Sequence, residues 1–428
     1  MLGTNGPKAI IWNLVKNGDV HIWRQPDLLF NQVLRFSGRI DAMMRRILGK
    51  ISGASLKTHQ FLDKQLNRKR GFIPYRVKYL ARVGDKTIVH VIGNFIVGGS
   101  SQLVVDIIEG TSDLYLHKVV VPQIPDQLGY QPLDIHAFSI DELTRLSEFL
   151  SLEKPEFVHI HYFVRDFEKY ESGALWYQAV FKICEELGIR VVQNVNIPTR
   201  PFPGGSVVHN VFVSEYVRNE FNDSAIESSV IYPGSDFGHF QDCTANHSLS
   251  NTVGMVYRLD GDKIREESIE VFIEAAKMNS DLKCRIIGGG LLENYFKIRV
   301  TKERLNNQFC FTGFVSYEKL PDEYRKLDLF VAPVYEESFG QVTPFAMGMG
   351  LRVAGYDTGA LGEILGSKET LVETGDVEAL ARLINELVEN KGTLEIRGRQ
   401  NRQRALAHFS IERMIERYRR LYATVLNS

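Results

Sequence analysis

Two cations and one carboxylate carry most of the chemistry that can be read from this chain. Arg258 and Lys263 stand five residues apart after an apolar stretch at 252–257. Glu337 follows a second apolar stretch, 327–333, in a loop that turns through Ser338, Phe339 and Gly340. A segment of helical character then begins near Gln341 and Val342. A strand that hands over to a loop and a helix start gathers backbone N–H groups and the positive end of a dipole at one spot, which suits a phosphate. Arginine can grip an anion bidentately and lysine as a point charge. A carboxylate such as Glu337 accepts hydrogen bonds from hydroxyl groups. Either cation alone reads as a solvated loop residue. Beside the 337–340 loop the pair reads as a clamp for an anion next to a polyol.

These residues need a scaffold, and the apolar pattern supplies one. From 87 onward short apolar strands alternate with helical segments. Strands are expected at 87–92, 116–121, 157–161, 190–195 and 211–213, with helices at 101–109, 141–150 and 172–187. A polar stretch without periodicity, 237–250, reads as a linker. A second series has strands at 252–257, 283–287, 309–312, 327–332 and 352–355, and a clear helix at 266–278. Amphipathic helices at 379–389 and 411–426 close the chain. Such alternation predicts an α/β fold of two Rossmann-like, doubly wound domains facing across a cleft. The expected organisation is a basic extension at 1–86, a first α/β domain at 87–236, the linker, a second at 251–410, and a helix at 411–428, for which a crossing back to the first domain stays open.

The first 86 residues differ from the rest. They hold 17 Lys and Arg against 5 Asp and no Glu, while the whole chain of 428 residues has a net charge of −1. A hairpin is expected at 9–23, around Asn17-Gly18. A helix follows at 27–51, where Arg35, Arg39, Arg45, Arg46 and Lys50 interleave with apolar residues. Two readings of that helix stay open: it lies on an anionic membrane surface, or its apolar stripe packs on protein. Aromatic interleaving is thin, so no nucleic-acid partner is expected. No apolar run approaches the ~18 residues of a membrane span, and no signal peptide is read. Four scattered cysteines point to neither a disulfide framework nor a zinc site. The expected location is cytoplasmic, with peripheral attachment to the inner membrane face as the option the basic helix leaves open.

The 337–345 segment resembles the signature of glycosyltransferase family 4, a family of the two-domain GT-B fold. Its pattern is Glu-x-Phe-Gly with a second Glu eight residues after the first. Glu337, Phe339 and Gly340 match, whereas position 345 is Phe345. Gly98-Gly99 matches a glycine pair after the first strand. Residues 155–161 resemble Pro-Asp-x-x-His-x-His, with Glu156 for Asp and with His159 and His161 retained. Gly355, Gly359, Glu363 and Asp376 follow the family order. The likeness covers roughly 87–425, is tightest at 252–375, and leaves out 1–86. A second departure lies at Gln193-Asn194-Val195-Asn196, where the family often has a histidine.

The resemblance implies a retaining, metal-independent glycosyltransferase of hexosyltransferase type that needs no cofactor and takes a nucleotide-diphosphate sugar as donor. No Asp-x-Asp pair is read in a suitable loop, in agreement with that. A glycan or lipid-linked glycan would be the acceptor. Arg258 and Lys263 would hold the donor diphosphate and Glu337 the sugar. Ser338, Phe339, Gly340, Gln341 and Val342 would line the donor. Backbone at Gly313 and Phe314 would read the base, and Gly98, Gly99 and Gly288 would approach phosphate. His161, at a strand end, and Asn196 are expected on the acceptor side, while His159 is expected to be buried. Phe345, unable to accept from a ribose hydroxyl, points to a deoxyribose donor such as a dTDP-sugar, with dTDP-rhamnose as one instance. The alternative reading is a GT-B scaffold without catalysis, serving as a binding partner in glycan assembly.

Overall fold

The computed structural model describes residues 75–76, 86–96, 98–125, 130–131, 133–164, 171–223, 225–241 and 250–427. All of the described residues belong to the second of two units, 65–428. The expected hairpin at 9–23 and helix at 27–51 lie outside the described residues. Part of the stretch assigned to the extension joins the second unit: β1 (Tyr75–Arg76) pairs in parallel with β4 (Tyr130–Gln131), which follows β2 (Thr87–Ile92) and β3 (Leu116–Val121).

The N-terminal sheet has seven strands in the order β5-β3-β2-β6-β7-β8-β9. Its remaining members are β5 (Ile135–Ala137), β6 (Phe157–Tyr162), β7 (Val191–Val195), β8 (Val207–Phe212) and β9 (Ser228–Val230). Every pairing is parallel. Parallel strands covered on both faces read as unbroken apolar runs, and β6 and β7 are buried along their whole lengths. Helices α1 (Gly99–Thr111), α2 (Leu143–Glu153), α3 (Glu171–Glu186) and α4 (Glu215–Phe221) connect them. Ser214 starts α4 by accepting from Val217 N at 3.1 Å, a capping contact that satisfies one free N–H of the first turn.

The second sheet has six parallel strands in the order β12-β11-β10-β13-β14-β15. They are β10 (Thr252–Val256), β11 (Lys283–Ile287), β12 (Phe309–Gly313), β13 (Leu329–Ala332), β14 (Arg352–Tyr356) and β15 (Leu371–Val372). Its helices are α5 (Ser268–Met278), α6 (Glu293–Lys302), α7 (Leu320–Tyr324), α8 (Val342–Gly348), α9 (Leu361–Leu365), α10 (Val377–Glu389) and α11 (Lys391–His408). The chain ends in α12 (Ile411–Asn427). Among the described residues, no helix is long and apolar enough to cross a membrane.

Two crossings join the sheets, and they run side by side. Ser235 N donates to Phe409 O at 2.8 Å and Ile411 N donates to Ser235 O at 3.1 Å. Beyond that point α12 lies on the N-terminal sheet. Met414, Tyr418, Leu421, Tyr422 and Val425 recur at helical spacing and are buried. Arg419 donates to Gly110 O and to Asp113, and Arg417 donates to Val230 O. One apolar cluster fills the sheet face under α2 and α3. The other starts on the opposite face, includes α12, and continues into the C-terminal domain.

Candidate functional site

The site assembles at the C-terminal ends of β10 and β13, where ligands bind in open α/β sheets. Lys263 Nζ donates to Glu337 Oε1 at 2.5 Å. Glu337 is fully buried, and its Oε2 has no hydrogen-bond partner. A buried carboxylate oxygen without a donor is costly, so this atom is an acceptor waiting for a hydroxyl. Lysine has three N–H donors and Glu337 takes one of them. The hydroxyls of Tyr257 and Thr343 are buried nearby and face each other. Burial, and then the charge of Glu337, push the Tyr257 phenol well above its ordinary pKa.

Two glycines make room for Glu337. Gly340 has φ +67, and a Cβ there would lie 2.1 Å from Glu337 Oε2. Gly359 has φ +53, and its Cβ would lie 2.0 Å from Glu337 O. Ala360 N donates to that same carbonyl at 2.9 Å. The Gly340→Ala variant is therefore expected to lose about 1–2 kcal/mol to the left-handed conformation and to displace the carboxylate as well. Denaturant unfolding and an activity assay should both register it. A variant with wild-type midpoint and turnover would contradict the packing.

Other predicted residues sort unevenly. Arg258 is half exposed (54%) and donates to Asp262 at 2.7 Å, on its own loop rather than toward Glu337. That loop does contain an Asp-x-Asp, Asp260-Gly261-Asp262. Both carboxylates serve the protein, Asp262 on Arg258 and Asp260 on Leu291 N. Gly313, with φ +65, has open space around its Cβ position, and Phe314 beside it is 63% exposed. Ser338 is half-buried on the loop. Across the cleft, a Cβ on Gly99 would sit 3.4 Å from Gln341 Oε1, and Gly98 faces open space. Gln341 Nε2 donates to Gly234 O at 3.1 Å, so the two domains meet here.

Several expectations need correction. Gly288 does not offer its N–H to a ligand, because that group donates to Gly313 O at 3.0 Å. Its missing side chain admits the neighbouring backbone, since a Cβ would lie 1.9 Å from Tyr257 O. Phe339 is buried against Tyr232 and Phe409, and Val342 packs on the core. Phe345 is 5% exposed and stacks on Phe240, with ring centres 4.1 Å apart and planes 6° from parallel. It faces the core rather than a ribose, so the argument for a deoxyribose donor loses its premise. Phe345→Ala is expected to cost about 3–5 kcal/mol, the range for emptying a buried aromatic site. A shift in the denaturation midpoint too small for that range would show the stack to be loose.

His161 is the other correction. It is fully buried, not at a cleft, within a block of four histidines. Thr111 donates to Ile107 O at 2.6 Å and so accepts from His117 Nε2 at 3.0 Å. His117 Nδ1 then accepts from His90 Nε2 at 3.0 Å, and His90 Nδ1 from His161 Nε2 at 3.2 Å. This order leaves the lone pair of His161 Nδ1 buried and unmet. His159, buried as expected, meets the Tyr422 hydroxyl of α12 at 2.8 Å. Asn196 accepts from Asn194, which in turn accepts from Tyr418. His90, His159 and His161 present ligand nitrogens within 4.8 Å of one another. All three are fully buried, with no carboxylate among them to offset a divalent charge.

One functional contact escaped the sequence reading. Glu363 of α9 caps the start of α4 in the other domain, accepting from Glu215 N at 2.8 Å and from Tyr216 N at 2.9 Å. Its place in the family order was visible; its partner, 148 residues away, was not.

Known proteins resemble this chain in two ways. Residues 245–404 match the family model described as glycosyl transferases group 1. Among curated proteins, a lipopolysaccharide core biosynthesis mannosyltransferase of Rhizobium meliloti is 30% identical over 138 residues, 31% of this chain and 39% of that protein. A 2-deoxystreptamine glucosyltransferase of Streptomyces kanamyceticus is 26% identical over 140 residues, 32% of this chain and 36% of its own length. The chain thus spans less than half the length of these relatives. Sucrose-phosphate synthase from Thermosynechococcus elongatus superposes with TM-score 0.63 at 16% identity, covering 80% of this chain and 99% of that one. Anabaena HepE, in complex with UDP and glucose, superposes with TM-score 0.64 at 15% identity, covering 79% and 100%. At such identities the likeness is one of fold, and that fold is GT-B.

Proposed function

We propose that this chain transfers a sugar from a nucleotide-diphosphate donor to a glycan or lipid-linked glycan acceptor, with retention and without a metal. The observation that carries the reading is Glu337, a buried carboxylate with one oxygen held by Lys263 and the other free to accept. Its free oxygen suits a sugar hydroxyl. Lys263, with two N–H donors to spare, suits the diphosphate beside it. The Arg258–Asp262 pair is exposed, and such pairs are worth about 0–1 kcal/mol, so an incoming diphosphate recruits Arg258 at little cost. Support for the donor class comes from the family match over 245–404.

In the reaction, the bond between the anomeric carbon and the diphosphate oxygen breaks and the acceptor oxygen bonds on the same face. The acceptor proton passes to the departing phosphate, so no protein base is invoked. Lys263 and Arg258 stabilise the charge that grows on the leaving group. Glu337 fixes the sugar ring. Closure of the Gly98-Gly99 loop against Gln341 keeps out water that would hydrolyse the donor. The test is turnover in EDTA across UDP-, GDP- and dTDP-sugars, with the product's anomeric proton followed by NMR. The expected result is transfer with the donor's own anomeric configuration. An inverted product would overturn retention, and loss of turnover in EDTA would overturn metal independence.

A further inference from the structure

A second polar cavity lies at the opposite end of the C-terminal sheet. It has a volume of about 490 Å³ and opens where β10, β11 and β12 begin, not where they end. Among the described residues, Lys283, Arg285, Arg325 and Lys326 line it, together with Gln308 and Cys310, and no carboxylate does. The nearest acids do not balance these cations. Glu323 serves both Arg285, at 2.6 Å, and Lys326, at 2.5 Å, while Asp322 serves Arg325 at 2.6 Å. Asp328, which accepts from Ser250 N and Thr252 N at the rim, is a third carboxylate, so four cations leave the pocket with one positive charge in excess. Lys283 is exposed and has no ion pair among the described residues. Arg285 is mostly buried, and its Nε has no acceptor. A buried guanidinium donor left open costs stability, and an anion in the pocket would close it. Gln308 is already spent on the carbonyls of Ala276, Asn279 and Leu282, which makes that wall rigid.

We infer that this pocket is a second anion site, built for a small phosphorylated ligand and separate from the donor site. The donor's diphosphate binds at the C-terminal ends of the strands. This pocket, at their beginnings, answers to a different molecule. Clustered cations in a walled cavity raise the local concentration of small anions, and guanidinium groups favour phosphate oxygens over chloride through paired, directed N–H donors.

Cys310, exposed in the wall, is a built-in reporter. Cys184 and Cys284 are buried, and burial pushes both thiols up, Cys184 to about 12. A Cys243→Ser background therefore leaves Cys310 as the reactive thiol. Anionic iodoacetate should alkylate Cys310 faster, relative to neutral iodoacetamide, by about tenfold compared with the Lys283→Ala/Arg325→Ala variant. Pyrophosphate should slow iodoacetamide labelling of the full chain, whereas potassium chloride at the same ionic strength should not. Three results would overturn the site: no protection by pyrophosphate, equal protection by chloride, or protection that persists in the double variant. Because Cys310 reports only on its own pocket, pyrophosphate bound at Lys263 leaves this reading unchanged.

Discussion

Replacing Lys263 by alanine is expected to cost both activity and stability, and a double variant separates the two losses. Among the described residues, Lys263 is the one hydrogen-bond donor to the Glu337 side chain, a carboxylate with no solvent exposure. Removing it leaves a buried charge unpaired, at a cost of about 3–5 kcal/mol. It also removes a charge-assisted contact to the developing diphosphate, worth about 3 kcal/mol, or 10² to 10³ in turnover. Glu337→Gln in the Lys263→Ala background takes away the unpaired charge. Stability should then recover most of the way, while turnover stays down. Arg258→Ala should lower turnover as well, but with little change in unfolding, since its pair with Asp262 is exposed. Wild-type turnover in Lys263→Ala, or turnover restored in the double variant, would remove Lys263 from the reaction.

Acid should unfold the N-terminal domain well before ordinary carboxylates titrate. Burial holds His90, His159 and His161 well below the ordinary histidine range and brings His117 down to about 4. The titratable neighbours among the described residues are few: Tyr115 beside His117, and Tyr418 and Tyr422 from α12 beside His159. These histidines are neutral when folded and free to protonate when unfolded. Their folded pKa is depressed, so the unfolded state binds more protons, and stability falls as pH drops below about 6.5. Each contributes a loss of about 1.4 kcal/mol per pH unit, down to about pH 4 for His117. Asp106 on α1 works against them. Burial raises its carboxyl to about 8, so it is already protonated in the folded chain and regains about 1.4 kcal/mol per unit on acidification. The balance is a net uptake of about three protons on unfolding near pH 5.5, and a loss of about 4 kcal/mol per unit. Denaturant unfolding at pH 6.5, 6.0 and 5.5 measures that slope. A flat profile would mean that the histidines are not buried as a neutral block.

What the sequence made legible follows from how each element is held. Strands such as β10 and β13 are apolar runs that end in Arg258 and Glu337, and runs of that kind identify buried parallel strands. Helix α11 was not legible. It is polar and basic over most of its length, and it docks by donating to carbonyls: Asn401 to Leu351 O, Arg404 to Ile364 O, Arg402 to Gly348 O. A helix held by hydrogen bonds to other helices' ends leaves no apolar stripe to read. Phe345 was misread because its partner, Phe240, sits in a stretch that looked like polar linker and is buried. The histidine block left a trace that was only half used: His90, His117 and His159 each interrupt an apolar strand, and the three strands are neighbours. Register brings His90 opposite His159, and register is a property of the folded sheet.

The donor site itself is open to a direct binding measurement. Titration calorimetry of UDP, GDP and dTDP into the full chain, and into its Lys263→Ala variant checked for folding, reads the clamp without any knowledge of the acceptor. The expected result is that at least one nucleoside diphosphate binds the native chain and loses about tenfold or more in affinity in the variant, the loss of one charge-assisted contact. No binding of any of the three, or equal affinity in both proteins, would contradict a donor diphosphate held at Lys263 and Glu337.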